Sequence, residues 1–268
     1  MRLIGMLDSP YVRRVAIALR LLEIPFEHDA LSVFSTFDQF SRINPVVKAP
    51  TLVCDDGTVL MDSGLIIDYA EALAGRSLWP ADLASRTRAL RATGLAMAAC
   101  EKVMQIYYEH NLRPAAHAPW LERVNQQLRA ALAALDAEIA RHPPSADEKT
   151  LTQDGLCAAI AWRFMQIKLV TPVADSECPA LAAFAARVEA LPAFVATPAD
   201  DSVNVSTPGY MSPCAALRPA ARPRACPFPA TPWPRPPARG GSAGSPGSRR
   251  SPNPAAPPPA RSSPRPRR

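Results

Sequence analysis

The opening of this chain constrains its fold most, because two short strand-like runs flank one helical pattern there. Arg2 to Met6 reads as a strand. From Pro10 to Leu22, the residues Val12, Val15, Ala16, Leu19 and Leu22 recur at helical spacing. Pro25 closes that pattern, and Phe26 to Asp29 reads as a second strand. Two strands joined through a helix run parallel, since the crossover returns the chain to the end it started from. Thr51 to Cys54 and Val59 to Met61 flank Asp55-Asp56-Gly57, a hairpin turn sequence. Ser63 to Ala74 completes the unit as a helix, with Ser63 as its N-cap and Gly75 as its stop. The order β-α-β, irregular segment, β-β-α predicts an α/β, thioredoxin-like domain over residues 1–76.

A connector over residues 77–84, containing Leu78-Trp79-Pro80-Ala81-Asp82, marks a change of character. Ser85 to Leu112, Pro119 to Arg141, Thr152 to Val170, Pro179 to Leu191 and a short piece near Phe194 are all helical in pattern. Residues 85–203 therefore read as an all-helical domain. From residue 204 the composition changes again: 18 of the last 65 residues are proline, and almost no apolar periodicity remains. Such a segment buries too little apolar surface to offset its ordering entropy, so 204–268 is expected to be disordered.

The net charge of +6 conceals two unlike parts. Residues 204–268 hold 11 arginines and no Lys, Asp or Glu, which leaves −5 for the rest. The high isoelectric point thus says nothing about the folded part. An arginine-rich tail can contact phosphates. This one lacks lysine, has few aromatics and carries no recognisable module, so nucleic acid is not an expected partner. Its Pro, Arg, Ala, Gly and Ser are what GC-rich DNA encodes out of frame, and it reads as a frameshifted or read-through extension.

The first eight residues are interrupted by charge too early for a secretory leader, and Leu156 to Val170, the longest apolar attempt, is broken by Arg163 and Lys168. A cytoplasmic address with no membrane partner is the expectation. Cys54, Cys100, Cys157, Cys178, Cys214 and Cys226 show no CxxC pair and read as free thiols. The four histidines have no catalytic or metal spacing, and no metal is expected.

Three short segments carry chemistry. Asp8-Ser9-Pro10-Tyr11 lies at the first strand-to-helix junction, where Pro10 suits the first helical position and Ser9 suits the cap. The same place offers a hydroxyl donor in the positive field of a helix N-terminus, which suits a thiolate. Lys48-Ala49-Pro50 precedes the third strand, where proline cannot donate to a ladder; a cis Ala49-Pro50 bond would turn the Ala49 backbone toward a ligand. Asp62-Ser63 opens the next helix, able to hold a carboxylate and to pair with an ammonium group, or simply to cap.

Taken in order with Asn44-Pro45, these segments resemble the glutathione-transferase family over about residues 1–200. Leu151-Thr152-Gln153 and Ala158-Ala159-Ile160-Ala161-Trp162-Arg163-Phe164 stand where that family places a buried core helix. The resemblance implies that Ser9 donates to the glutathione sulfur and that Ala49, before Pro50, pairs with the cysteinyl part. It also implies that Asp62 and Ser63 hold the γ-glutamyl end while Lys48 approaches the glycyl carboxylate. Glutathione would be a co-substrate, a hydrophobic electrophile the second partner, and a homodimer the assembly. The acceptor pocket is expected along Tyr107, Tyr108, Trp162 and Met165, against a core role for the same residues. One departure is visible: the acid that the family carries three residues after the core-helix cap stands two after Thr152, at Asp154. A Thr152 cap without its reciprocal box is expected, at a cost of ~1 kcal/mol. The expected activity is conjugation of glutathione. The alternatives are a non-catalytic binding or regulatory member and a glutathione-dependent thiol oxidoreductase or isomerase, the last disfavoured because position 9 is Ser and not Cys.

Overall fold

A computed structural model describes residues 1–199. The expectation of disorder over 204–268 lies outside the described residues, as do Cys214 and Cys226.

The chain begins with β1 (Arg2–Ile4), α1 (Pro10–Leu21), β2 (Glu27–Asp29), α2 (Phe37–Ile43), β3 (Thr51–Val53), β4 (Val59–Met61) and α3 (Ser63–Ala74). The strands form one sheet in the order β2-β1-β3-β4. β1 and β2 are parallel, while β3 is antiparallel to both β1 and β4. This is the thioredoxin-like sheet that the order of runs predicts. β1 is shorter than the apolar run suggests, because Gly5 turns at φ 135. A Cβ there would lie 2.6 Å from a Val12 methyl and 3.1 Å from the Ala49 Cβ, so the close approach of the two loops needs glycine. The segment read as irregular contains α2, which buries only Phe40 and so leaves little periodicity to detect.

The helical half consists of α4 (Leu83–Asn111), α5 (Ala118–Arg141), α6 (Gln153–Lys168), α7 (Pro179–Glu189) and α8 (Pro192–Val195), with a 3₁₀ turn at Asp175–Glu177. Ala89, Ala92, Ala96 and Ala99 form a buried stripe on α4, and these small residues let α5 and α6 approach closely. α6 is buried nearly all round from Gln153 to Met165, as a core helix with no polar face must be. It packs against α1 as well as α4 and α7, so the two halves share one apolar core.

Two caps differ from expectation. Asp62, not Ser63, is the N-cap of α3: its Oδ1 accepts from Gly64 N at 2.9 Å and Leu65 N at 3.4 Å. The aspartate reaches two orphan N–H groups at once, which places Ser63 inside the first turn. Gly75 ends α3 in the left-handed region, as expected. At α6, Thr152 occupies the cap position, but its hydroxyl makes no capping bond and donates instead to Asp154 Oδ1 at 2.6 Å. The early acid captures the hydroxyl that would otherwise serve the backbone.

Candidate functional site

The sheet register decides which segments meet. Ile4 pairs with Asp29 and with Thr51, and Thr51 pairs with Met61. β1 leaves the sheet after Ile4, β3 enters it at Thr51, and β4 leaves after Met61. Asp8-Ser9, Lys48-Ala49-Pro50 and Asp62-Ser63 therefore emerge at one end of the sheet, together with the segment that follows Asp29.

Ser9 is the N-cap of α1, with extended backbone (φ −77, ψ 125) and Pro10 in the first turn. Its half-buried hydroxyl is not spent on the cap. The positive end of α1 thus carries a donor that the helix itself does not use.

Lys48 is exposed and Ala49 half-buried, and the Ala49–Pro50 peptide is cis. Buried Asn44 pins this loop: its Nδ2 donates to Thr51 Oγ1 at 2.8 Å and its Oδ1 accepts from Val46 N at 3.0 Å. Thr51 Oγ1 in turn donates to the Lys48 carbonyl at 2.7 Å. Val47 sits at φ 52, a conformation that a β-branched residue holds only when its surroundings impose it.

Asp62 is exposed at φ 75 and uses one carboxylate oxygen for both capping bonds. Ser63 is buried, and its Oγ accepts from Arg14 Nη1 at 3.3 Å. Arg14 is itself buried. Its remaining contacts are Met97 Sδ and Gln153 Oε1, each at 3.3 Å, and its Nε has no partner. Among the described residues no carboxylate pairs with it. A desolvated guanidinium held only by neutral acceptors leaves uncompensated positive charge beneath Ser63, which favours an anion there. Sequence reading misses Arg14, although a cation inside the apolar spacing of α1 is a signal.

An aromatic group borders the Ser9 loop. Tyr107 and Tyr108 have ring centroids 6.0 Å apart, and Phe34, from the segment after β2, meets Tyr108 edge-on at 5.9 Å. Lys168 Nζ stands 5.3 Å from the Tyr107 ring centroid and 2.6 Å from Asp8 Oδ2, joining this group to the Ser9 loop. Burial, and then the neighbouring Cys100 and Glu101, push the Tyr11 phenol up. Burial, and then Asp8, do the same for Tyr108. Both rings remain neutral hydrogen-bonding groups near pH 7. Trp162 and Met165 lie on α6, which packs against the α4 helix that carries Tyr107 and Tyr108, and are 4% and 0% exposed. Among the described residues no cluster of His, Cys, Asp or Glu is arranged to hold a metal ion. No described helix is long and apolar enough to cross a membrane.

Residues 3–77 match the glutathione S-transferase N-terminal domain. The uncharacterized GST-like protein YibF of Escherichia coli is 33% identical over 73 residues, 27% of this chain and 36% of that protein. The chain thus spans about a third of the length of the curated relatives it matches. Among solved structures, a glutathione S-transferase of Methylobacterium radiotolerans in complex with glutathione sulfonate shares 25% identity at a TM-score of 0.67, over 73% of this chain and 93% of that one. A glutathione transferase family member of Pseudomonas fluorescens with bound glutathione shares 28% identity at a TM-score of 0.61, over 73% and 97%.

Proposed function

We propose that this chain, which matches the glutathione S-transferase N-terminal domain over residues 3–77, is a glutathione transferase family member that binds glutathione and adds its thiolate to an electrophilic small molecule. The observation that carries this reading is the Ser9 hydroxyl, left out of the cap at the positive end of α1. Ser9 acts as a hydrogen-bond donor to the sulfur and not as a nucleophile. A charge-assisted bond of about 1.5–3 kcal/mol lowers a thiol pKa by roughly one to two units. The bound thiol is then substantially ionised near neutrality, and binding holds it beside the acceptor. In this reading Ala49 meets the cysteinyl backbone. Asp62 and Ser63 take the γ-glutamyl end over the Arg14 charge, and Lys48 faces the glycyl carboxylate. Tyr107 and Tyr108 border the acceptor.

Residues 1–76 serve as the glutathione-binding domain, 77–84 as linker and 85–203 as the helical domain of a cytoplasmic homodimer acting in detoxification. The exposed apolar residues Val59 and Met61 on edge strand β4, with Leu65 on α3, are the candidate dimer contacts.

Retention on glutathione-agarose followed by a conjugation assay with a generic aryl halide tests the proposal. Retention with turnover supports it. Retention without turnover favours a binding or regulatory member, dominant disulfide reduction favours an oxidoreductase, and no retention overturns the reading.

A further inference from the structure

We propose that the Lys168–Asp8 ion pair sets the electrostatic potential at Ser9, so that the helical half contributes Lys168 to the thiolate site as a positioning residue. The inference rests on the reading of Ser9 as a thiolate donor. It also names a function for two charges which that reading leaves unused.

Asp8 is the residue before Ser9, so its carboxylate stands close to the place where negative charge would form. At roughly 6–8 Å and an effective dielectric of about 20, an uncompensated carboxylate raises a thiol pKa by about one unit or more. A site that must ionise a thiol cannot tolerate that charge alone. Lys168, the last residue of α6, answers it with Nζ 2.6 Å from Asp8 Oδ2. The Lys168 side chain is 16% exposed and that of Asp8 36%, so the pair is less screened than an ordinary surface bridge. The ammonium also sits over the Tyr107 ring, which holds it in place.

Neighbouring charged and titratable groups among the described residues are neutral or engaged with other partners. Tyr11 on α1 and Tyr108 on α4 have phenols pushed up by burial and stay neutral. Arg14 on α1 faces Ser63 and Gln153. Glu101 on α4 is 57% exposed and pairs with Lys102 at 3.1 Å. Tyr107, on α4, lies beneath the ammonium itself.

The rival account is a clamp: the bridge ties α6 to the β1–α1 loop and has no electrostatic effect on position 9. Sign separates the two. Loss of a clamp acts alike whichever partner is removed, whereas the two charges act on a nearby anion in opposite senses.

The test places a reporter at the site. In the full chain, Ser9→Cys provides a thiol whose pKa is read from the pH dependence of iodoacetamide alkylation, followed by mass spectrometry on the peptide that contains position 9. Adding Lys168→Met is expected to raise the pKa of the reporter thiol by about one unit, a roughly tenfold smaller thiolate fraction at neutral pH. Adding Asp8→Asn is expected to lower it by a similar amount. The combined loss of both charges should return it to within about 0.3 unit of the reporter alone, and Lys168→Arg should leave it in place. Thermal melts confirm that each variant is folded. Shifts of the same sign from both single charge removals, or no shift from either, overturn the proposal. The reporter needs no glutathione, so calorimetric titration of the unsubstituted chain with glutathione judges the binding reading separately.

Discussion

Ser9 shows how one residue satisfies two descriptions that differ in their consequences. A capping serine is worth about 1 kcal/mol to its helix, whereas a thiolate donor is worth nothing until the ligand arrives. In the structure the Ser9 hydroxyl makes no capping bond. Ser9→Ala should therefore leave unfolding free energy unchanged within about 0.5 kcal/mol, as urea titration would read it. Glutathione affinity should stay within a few-fold. Turnover with an aryl halide should fall by about tenfold or more, and the pH limb of kcat/KM for the aryl halide at saturating glutathione should move upward by roughly one to two units. The direction follows from the sign: the donor lowers the bound thiol's pKa, so removing it postpones ionisation to higher pH. A stability loss with an unmoved pH profile would mean that Ser9 is only a cap. Position 9 is legible in the sequence because Ser-Pro marks a helix start. Its freedom from the cap is not, because that depends on a side-chain rotamer.

Among the elements, α4 and α6 each contain an interior glycine, and the surroundings give the two opposite meanings. Gly94 in α4 has nothing within 4 Å of a Cβ built upon it. Gly94→Ala should then gain the helix-propensity difference, about 1 kcal/mol. At Gly155 in α6 the added carbon would lie 2.8 Å from Leu151 Cδ1, 3.1 Å from Phe184 Cζ and 3.2 Å from Pro144 Cβ. Overpacking of about 1–3 kcal/mol outweighs the propensity gain there, so Gly155→Ala should lower stability. Differential scanning calorimetry of the pair checks both signs at once, and a stabilised Gly155→Ala variant would contradict the packing assigned to α6. Periodicity makes both helices legible, and α3 runs from Ser63 to Ala74 as its pattern predicts. Its cap lies one residue earlier than the pattern suggests, since Asp62 and Ser63 are both good caps and only the backbone dihedrals choose between them. α2 escapes detection because a helix that buries one residue has no period.

At the scale of the whole molecule, a buried arginine helps tie the sheet-bearing half to the last helices. Arg13 on α1 donates to both carboxylate oxygens of Glu189 on α7 at 2.6 Å and, through Nε, to the Thr197 carbonyl at 2.8 Å. The Arg13 side chain is 3% exposed and that of Glu189 24%, so the two halves of the bridge are not equivalent. Glu189→Ala strands a buried cation and should cost about 3 kcal/mol or more. Arg13→Met leaves a carboxylate that water can reach and should cost less. Urea unfolding of the two variants tests that order, and equal losses would count against it. Removing residues 204–268 should leave folding and glutathione retention intact; loss of either would show that the segment has a function. The sequence by itself determined the succession of strands and helices, the division into a sheet-bearing and a helical half, and the three segments of the candidate site. Local periodicity and turn chemistry record which face of each element is buried, and that suffices for those features. Only the tertiary structure decided which charges those segments enclose. Arg14 beneath Ser63 and Lys168 against Asp8 join positions 49 and 160 residues apart, and no local pattern encodes a contact of that range.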